Sequence, residues 1–336
     1  MVEQGTHKPL AGGSNPPSAT TSSPDALAAL VADGAHAARI PPAAHLLLAV
    51  SGGADSTALL HGAARAASSI RPGWTLSVAH LDHALRDDSA TDAEAVAADA
   101  ARLGIPCEVR RVDVAVLARD EGRSIEDAGR EARYRFLQEI APEGALIATA
   151  HTADDAAETV LLNLLRGSGL SGARGIPRRR GRIARPLLGA RRATLRALLD
   201  DAGIAYVDDP SNADPAYLRN RVRAELVQLL EAIRPGAVDR IGAFARLAAD
   251  DDTLLDELAA AELARRREND GAIDWHQPPA RALGRRVLRL AIGDPAPSAE
   301  RIEATLDAAE GERGGVRIEL GRGREASVIH RRIRLI

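Results

Sequence analysis

Five short apolar runs, each separated from the next by a helical pattern, constrain this chain more than any other feature. The runs at 45–50, 75–83, 107–112, 145–151 and 182–187 are continuous rather than alternating, as strands covered on both faces must be. Helical spacing of apolar residues fills the intervals at 56–67, 91–103, 125–140, 154–166 and 193–202. The alternation predicts a doubly wound α/β domain: a mostly parallel five-stranded sheet whose ligand crevice lies at the carboxyl ends of its strands. Beyond Pro210 the pattern changes to helices alone, at 216–230, 238–267, 279–292 and 299–309, and a closing segment that alternates around a glycine turn reads as a hairpin. The expected organisation is therefore a disordered tail at 1–24, rich in Pro, Gly, Ser and Thr, an α/β domain at 25–212, and a smaller, mainly helical domain at 213–336.

Composition excludes some classes. No apolar run approaches the ~20 residues of a membrane span, and the first residues, MVEQGTHKPLAGG, lack a secretory pattern, so a cytoplasmic protein with no membrane association is expected. One cysteine, Cys107, rules out an internal disulfide or a cysteine metal cluster. The net charge of −3 argues weakly against nucleic acid, but the charge is unevenly placed. Nine arginines (166, 174, 178, 179, 180, 182, 185, 191 and 192) fall between 166 and 192 with no acid among them. They form either a solubilising loop or a surface for a phosphate backbone.

The first strand leads into the stretch LLLAVSGGADSTALL at 46–60. A glycine-rich turn between a buried strand and a helix presents successive backbone N–H groups at the positive end of the helix, and so takes anions. Gly52 and Gly53 allow close approach, while Ser51, Ser56 and Thr57 add hydroxyls. A plain strand-to-helix connection with Ser56 as cap is the alternative. Asp55 weighs against it, because a carboxylate beside a phosphate cradle is repulsive unless a divalent cation such as Mg²⁺ lies between them.

Further candidates sit near the other strand ends. Asp154 and Glu158 are four apart and share a helix face, and Asp155 lies in the same first turn, where the helix dipole favours carboxylates. Capping and surface charge remain an open alternative. Leu161, Leu162 and Leu165 are expected to form the buried stripe of that helix. Arg130 and Arg133 point the same way on the helix at 125–140 and are read as a phosphate clamp, or else as partners of Glu126, Asp127 and Glu131. His80, Asp82 and His83 end the second strand, but a zinc reading needs further spaced ligands that the sequence lacks. His151 is either a site residue or a hydrogen-bonded strand-end histidine.

The turn has neither the ending of a P-loop nor the glycine spacing of a dinucleotide fold. SGGADS after LLLAV instead resembles the PP-loop of the N-type ATP pyrophosphatases, whose fold is adenine nucleotide alpha hydrolase-like. That resemblance implies ATP bound by Ser51, Gly52, Gly53, Ala54, Asp55 and Ser56. Sulfur-inserting members generally need two or more cysteines, which counts against that chemistry here. The block ATAHTADDAAETVLLNLLRGSGLSGARGIP closely resembles that of tRNA(Ile)-lysidine synthetases, and so do GREARYRFL, RPLL with RRATLRALL, and VDDPSNADPAYLRNRVR, in the family's order. SVAHLDHALRDD resembles its second-strand block, but Leu81, Asp82 and Ala84 depart from the usual Val-Asn-His-Gly.

The resemblance implies a ligase in which ATP adenylates the wobble cytidine of a CAU-anticodon isoleucine tRNA and L-lysine displaces AMP. It carries over Asp55, Arg130, Arg133, His151, Asp154 and Asp155 as catalytic candidates, Asp55 and Asp154 as Mg²⁺ ligands, and Arg166, Arg174, Arg178, Arg179, Arg180, Arg219 and Arg221 as tRNA contacts. The oligomeric state is left open, a homodimer included. The competing expectations are amidation of a small metabolite by another PP-loop enzyme, and a catalytically silent RNA-binding module.

Overall fold

The computed structural model describes residues 23–69, 73–86, 89–208, 218–311 and 315–336. Of the expected tail at 1–24, residues 1–22 lie outside the described residues, as does the central part of the VDDPSNADPAYLRNRVR block at 209–217, whereas Ser23 and Pro24 already open a helix. The chain divides into two units: Met1–Ala156 with Pro177–Ala224, and Ala157–Ile176 with Glu225–Ile336.

The first unit is built on a six-stranded sheet. In chain order its elements are α1 (Ser23–Ala37), β1 (His45–Ala49), α2 (Ala54–Ser69), β2 (Thr75–Asp82), α3 (Ser89–Arg102), β3 (Cys107–Arg111), α4 (Val114–Glu121), α5 (Ile125–Ile140), β4 (Leu146–Thr149), the start of α6 (Ala153–Leu165), β5 (Arg179–Arg180), β6 (Ile183–Ala184) and α8 (Arg192–Asp201). The strand order is β3-β2-β1-β4-β6-β5, parallel throughout except for β5, which pairs antiparallel to β6. The five expected strands are all present, and the sixth is the two-residue β5, whose arginines carry no apolar signal. The helix α4 was also not expected. It is short, and only its Asp113 cap and its left-handed Gly122 stop mark it.

Burial explains the continuous runs of the inner strands, whereas the edge strand β3, CEVRR, is largely exposed and is not the covered apolar run expected there. Along β1, Leu46 and Leu48 pack with Leu27, Val31, Leu59 and Leu195 on one face of the sheet. Leu47 points to the other face, among Ala79, Phe136, Leu137 and Ile147. Both faces being covered, no residue of the run can be polar at low cost. The chain reverses direction of travel across the sheet between β1 and β4, so the loops leaving these two neighbours open a crevice at their carboxyl ends.

The second unit holds the rest of α6, α7 (Leu170–Ala173), α10 (Val227–Ile233), the thirty-residue α11 (Ala237–Arg266), α12 (Arg281–Ile292) and α13 (Ala299–Glu310). The expected helix at 216–230 is broken into α9 (Leu218–Arg221), a π-helical turn Val222–Leu226, and α10. The expected terminal hairpin is a larger structure, an antiparallel sheet in the order β7-β10-β9-β8 formed by β7 (Ile273–Asp274), β8 (Val316–Gly321), β9 (Arg324–Ile329) and β10 (Arg332–Leu335). The third run is set off by His330 and Arg331, both at positive φ, a turn made without glycine that the sequence does not announce. Trp275, Ile273, Val287, Leu288, Ile302, Leu306 and Val328 form this unit's core. On α6, Leu161 and Leu162 are buried but Leu165 is 60% exposed, so the stripe ends one turn earlier than its leucines suggest. Among the described residues no helix is long and apolar enough to cross a membrane.

Candidate active site

The turn after β1 folds as its composition requires. Gly52 has φ +88°, and a side chain there would also press on Val96 at 3.2 Å. Ser56 ties the turn together: its Oγ accepts from the Ser51 N–H at 3.1 Å and donates to the Gly53 carbonyl at 2.9 Å, and it lies 3.2 Å from Ser51 Oγ. The Val207 N–H donates to the Gly52 carbonyl at 2.9 Å, which braces the loop from the far end of the unit's chain. Ala54 opens α2 and is buried, so it shapes the cradle through its backbone.

Asp55 stands in the first turn of α2. Its Oδ2 accepts from Arg192 Nε at 3.0 Å, while its Oδ1 is buried with no hydrogen-bond partner. Burial pushes this carboxyl above its usual range, and Arg192 opposes the shift without cancelling it. A buried, unsatisfied carboxylate oxygen beside an anion cradle fits a divalent cation. Among the described residues no group of three or more His, Cys, Asp or Glu side chains is arranged to hold a metal. A cation held here would therefore take its remaining ligands from bound phosphate and water.

The loop after β4 brings the second set. Thr152 and Asp155 cap α6 reciprocally: Asp155 Oδ2 accepts from the Thr152 N–H at 2.8 Å and its hydroxyl at 2.9 Å, and Thr152 Oγ1 accepts from the Asp155 N–H at 3.3 Å. Asp155 Oδ1 receives Arg192 Nη2 at 2.9 Å and Arg219 Nη2 at 3.2 Å, with Arg223 Nη2 at 3.5 Å. Burial works against the Asp155 charge, yet the arginines, led by Arg192 and Arg219, hold the carboxyl below its usual range. Asp154 Oδ2 accepts the Arg192 backbone N–H at 2.8 Å, and Arg191 Nη2 lies 3.3 Å from its Oδ1. Arg192 thus links the turn of β1 to the first turn of α6, a role that the sequence concealed by burying it in a basic run.

His151 follows β4 and lies 3.0 Å, through Nδ1, from Thr149 Oγ1. Burial drives its imidazole down to about 4; Asp155 pulls the other way, while Arg185, Arg219 and Arg130 reinforce the shift. Arg130 and Arg133 take different partners. Arg130 lies over the ring of Tyr134 at 5.2 Å, whereas Arg133 Nη2 donates to His83 Nε2 at 3.0 Å. The His80, Asp82, His83 group is structural at this end: His80 Nδ1 meets the Val50 carbonyl at 2.9 Å, and Asp82 accepts from the Ala84 N–H at 2.8 Å.

The nine-arginine run disperses on folding. Arg174 Nη1 meets the buried Asp252 at 2.9 Å, Arg179 reaches the Arg39 carbonyl at 2.8 Å, Arg182 the Ala145 carbonyl at 2.9 Å and Arg185 the Pro177 carbonyl at 2.8 Å. Arg178 is half-buried, and Arg166, Arg180 and Arg221 are exposed. Arg219, one of the expected tRNA contacts, turns to Asp155.

Comparison with known proteins agrees with this geometry. A family model for the PP-loop domain matches residues 23–230. The tRNA(Ile)-lysidine synthase of Thermus thermophilus is 45% identical over 67% of this chain and 43% of its own length, and that of Salinispora tropica is 44% identical over 70% of this chain and 71% of its own. The chain thus spans less than half the length of the Thermus relative. Among solved structures, the U34-tRNA thiolase NcsA of Methanococcus maripaludis, described with its [4Fe-4S] cluster, shares the fold at a TM-score of 0.54 and 16% identity, over 67% of this chain and 79% of that one. With a glycine cradle, its aspartate and a capped acidic helix meeting at the strand ends, and with relatives at this level of identity, the chain belongs to the tRNA(Ile)-lysidine synthase family of PP-loop, ATP-utilising proteins.

Proposed function

We propose that this protein joins L-lysine to C2 of the wobble cytidine of isoleucine tRNA with a CAU anticodon, in the cytoplasm, at the expense of ATP. In the first step the cytidine O2 attacks the α-phosphorus of ATP, the α–β bridging P–O bond breaks and pyrophosphate departs. In the second, the side-chain amine of lysine attacks C2, the C2–O bond breaks with AMP leaving, and the amine gives up a proton. The observation that carries this reading is the meeting of the cradle, with its unsatisfied Asp55 Oδ1, and the acids of α6 at adjacent strand ends.

Each group has a task that follows from its surroundings. Ser51, the turn glycines and Ser56 hold the pyrophosphate end of ATP through backbone N–H groups and hydroxyls. Asp55 would hold Mg²⁺, which supplies positive charge to the departing phosphates. Arg192, poised between Asp55 and Asp155, is placed to swing onto phosphate oxygens when they arrive. Asp154 and Asp155 supply negative charge for the ammonium groups of lysine. His151 is neutral at neutral pH, and with Nδ1 turned to Thr149 it exchanges protons through Nε2. The region from about residue 213 onward is proposed as a helical, tRNA-contacting domain.

The test is incubation with ATP, Mg²⁺, labelled lysine and the CAU-anticodon tRNA. Lysine-dependent label in RNA is the expected result. ATP cleavage that needs a small metabolite and leaves the RNA unlabelled would assign the protein to amidation instead.

A further inference from the structure

The end of β6 holds a cation that the fold leaves incompletely bonded. Arg185 follows Ala184 directly and is only 5% exposed. Its Nη1 donates to the Pro177 carbonyl at 2.8 Å, but its Nε is buried without a partner. The ionisable groups whose charges act on it most strongly are Tyr134 and two further cations, Arg130 and Arg180. Arg130 in turn stacks on Tyr134. Both Arg130 and Arg180 are exposed, so the cluster opens to solvent. Of the acids nearby on α5, Glu131 is engaged by Arg123 and Arg135, and Asp127 accepts from Ser124. A buried guanidinium flanked by cations is costly unless an anion completes it.

Sheet order says which anion. Neighbouring strands are about 4.8 Å apart, so β6, two steps from β1, lies roughly 10 Å from the strand that carries the ATP cradle. His151, on the loop after β4, falls between them. Arg185 is therefore across the β4 loop from the PP-loop turn, on the side that the reading above leaves for the acceptor base. A base splayed from its strand brings its own backbone phosphate with it.

We propose that Arg185, Arg130 and Tyr134 form a second anion site, separate from the PP-loop, that grips an RNA phosphodiester next to the nucleotide presented to His151. Arg185 and Arg130 supply the charge, and the Tyr134 ring lies under the Arg130 guanidinium. This rests on the tRNA reading above. The site selects a nucleotide within a strand over a free nucleoside.

The test measures affinity for an anticodon stem-loop RNA across a salt series, and separately affinity for ATP, in the wild-type protein, R185K and R130Q. Arg185→Lys keeps the charge and guards against misfolding, while Arg130 is exposed and Arg130→Gln leaves the core alone. RNA binding should weaken roughly tenfold in each variant, with the salt slope falling by about one in R130Q and ATP affinity unchanged within about twofold. A neutral methylphosphonate 5′ to the wobble cytidine should weaken wild-type binding to a similar degree and R130Q hardly further. Unchanged RNA affinity in both variants overturns the site, and loss of ATP affinity instead would assign the anion to the nucleotide. If RNA binding follows this pattern but no lysine is transferred, the ligase reading falls and the site stands.

Discussion

Two arginines and two aspartates, one of each in either unit, mark the difference between scaffold and site. In the second unit Arg266, 4% exposed, spends all three of its nitrogens: Nε on Glu262 at 2.7 Å, Nη1 on the Asp274 carbonyl at 2.8 Å and Nη2 on the Gln277 carbonyl at 2.6 Å, with its plane over Trp275. Asp252, fully buried, is likewise satisfied by Ser171, Arg174 and Arg286. In the first unit Arg185 is similarly enclosed and Asp55 is half-buried, yet each keeps a buried polar atom with no partner. Satisfied networks rigidify a core, whereas a buried polar atom left without a partner beside an anion-binding turn or at a strand end is a place that a ligand can complete.

The largest effect that would break this contrast is on stability. Asp252→Ala leaves Arg286 and Arg174 facing a void and should cost about 3–5 kcal/mol by urea denaturation; a change below about 1 kcal/mol would remove Asp252 from the scaffold. Asp55→Asn should do the reverse. Pyrophosphate release should fall at least about 100-fold, while stability stays within about 1 kcal/mol, because Arg192 keeps Asp155. Turnover near that of the wild type would show that the unsatisfied oxygen does not hold a cation.

Acid sharpens the contrast further. A histidine of ordinary pKa 6.5 in the unfolded chain sits near 4 at position 151 in the fold. Between those values the unfolded chain binds the extra proton, so this contribution is whole above pH 6.5 and is lost as the pH falls toward 4. It amounts to at most about 3 kcal/mol, and His151→Gln should flatten that limb in denaturation curves taken at several pH values. The smallest effect belongs to the dispersed arginines. Neutralising Arg178, Arg179 and Arg180 together should weaken tRNA binding and lower its salt slope by about one rather than three, since Arg179 is spent on the Arg39 carbonyl and Arg178 is half-buried. A drop of three would mean that all of them face phosphate.

Much of this was legible from residue order. A five-residue leucine-rich strand, two glycines and an aspartate before a helix leave few alternatives, because only a doubly covered strand tolerates such a run and only a strand-to-helix turn uses such glycines. The acids of α6 were readable for the same local reason: helix periodicity puts Asp154 and Asp155 in the first turn. The arginines were not readable. Nine of them in one stretch look alike in sequence, yet Arg192 bridges two carboxylates, Arg174 saturates Asp252 and Arg185 lies in the sheet's end.

Local rules thus determined by themselves the parallel sheet, the anion-binding turn after β1 and the capped acidic helix, since each depends on residues within a few positions of one another. Which guanidinium meets which carboxylate was decided only by tertiary structure. Those partners are up to 137 residues apart, Asp55 and Arg192 being the extreme in the site, and strand order brings them together. A long charged side chain takes its role from whatever the fold places within its reach, and spacing along the chain does not encode that.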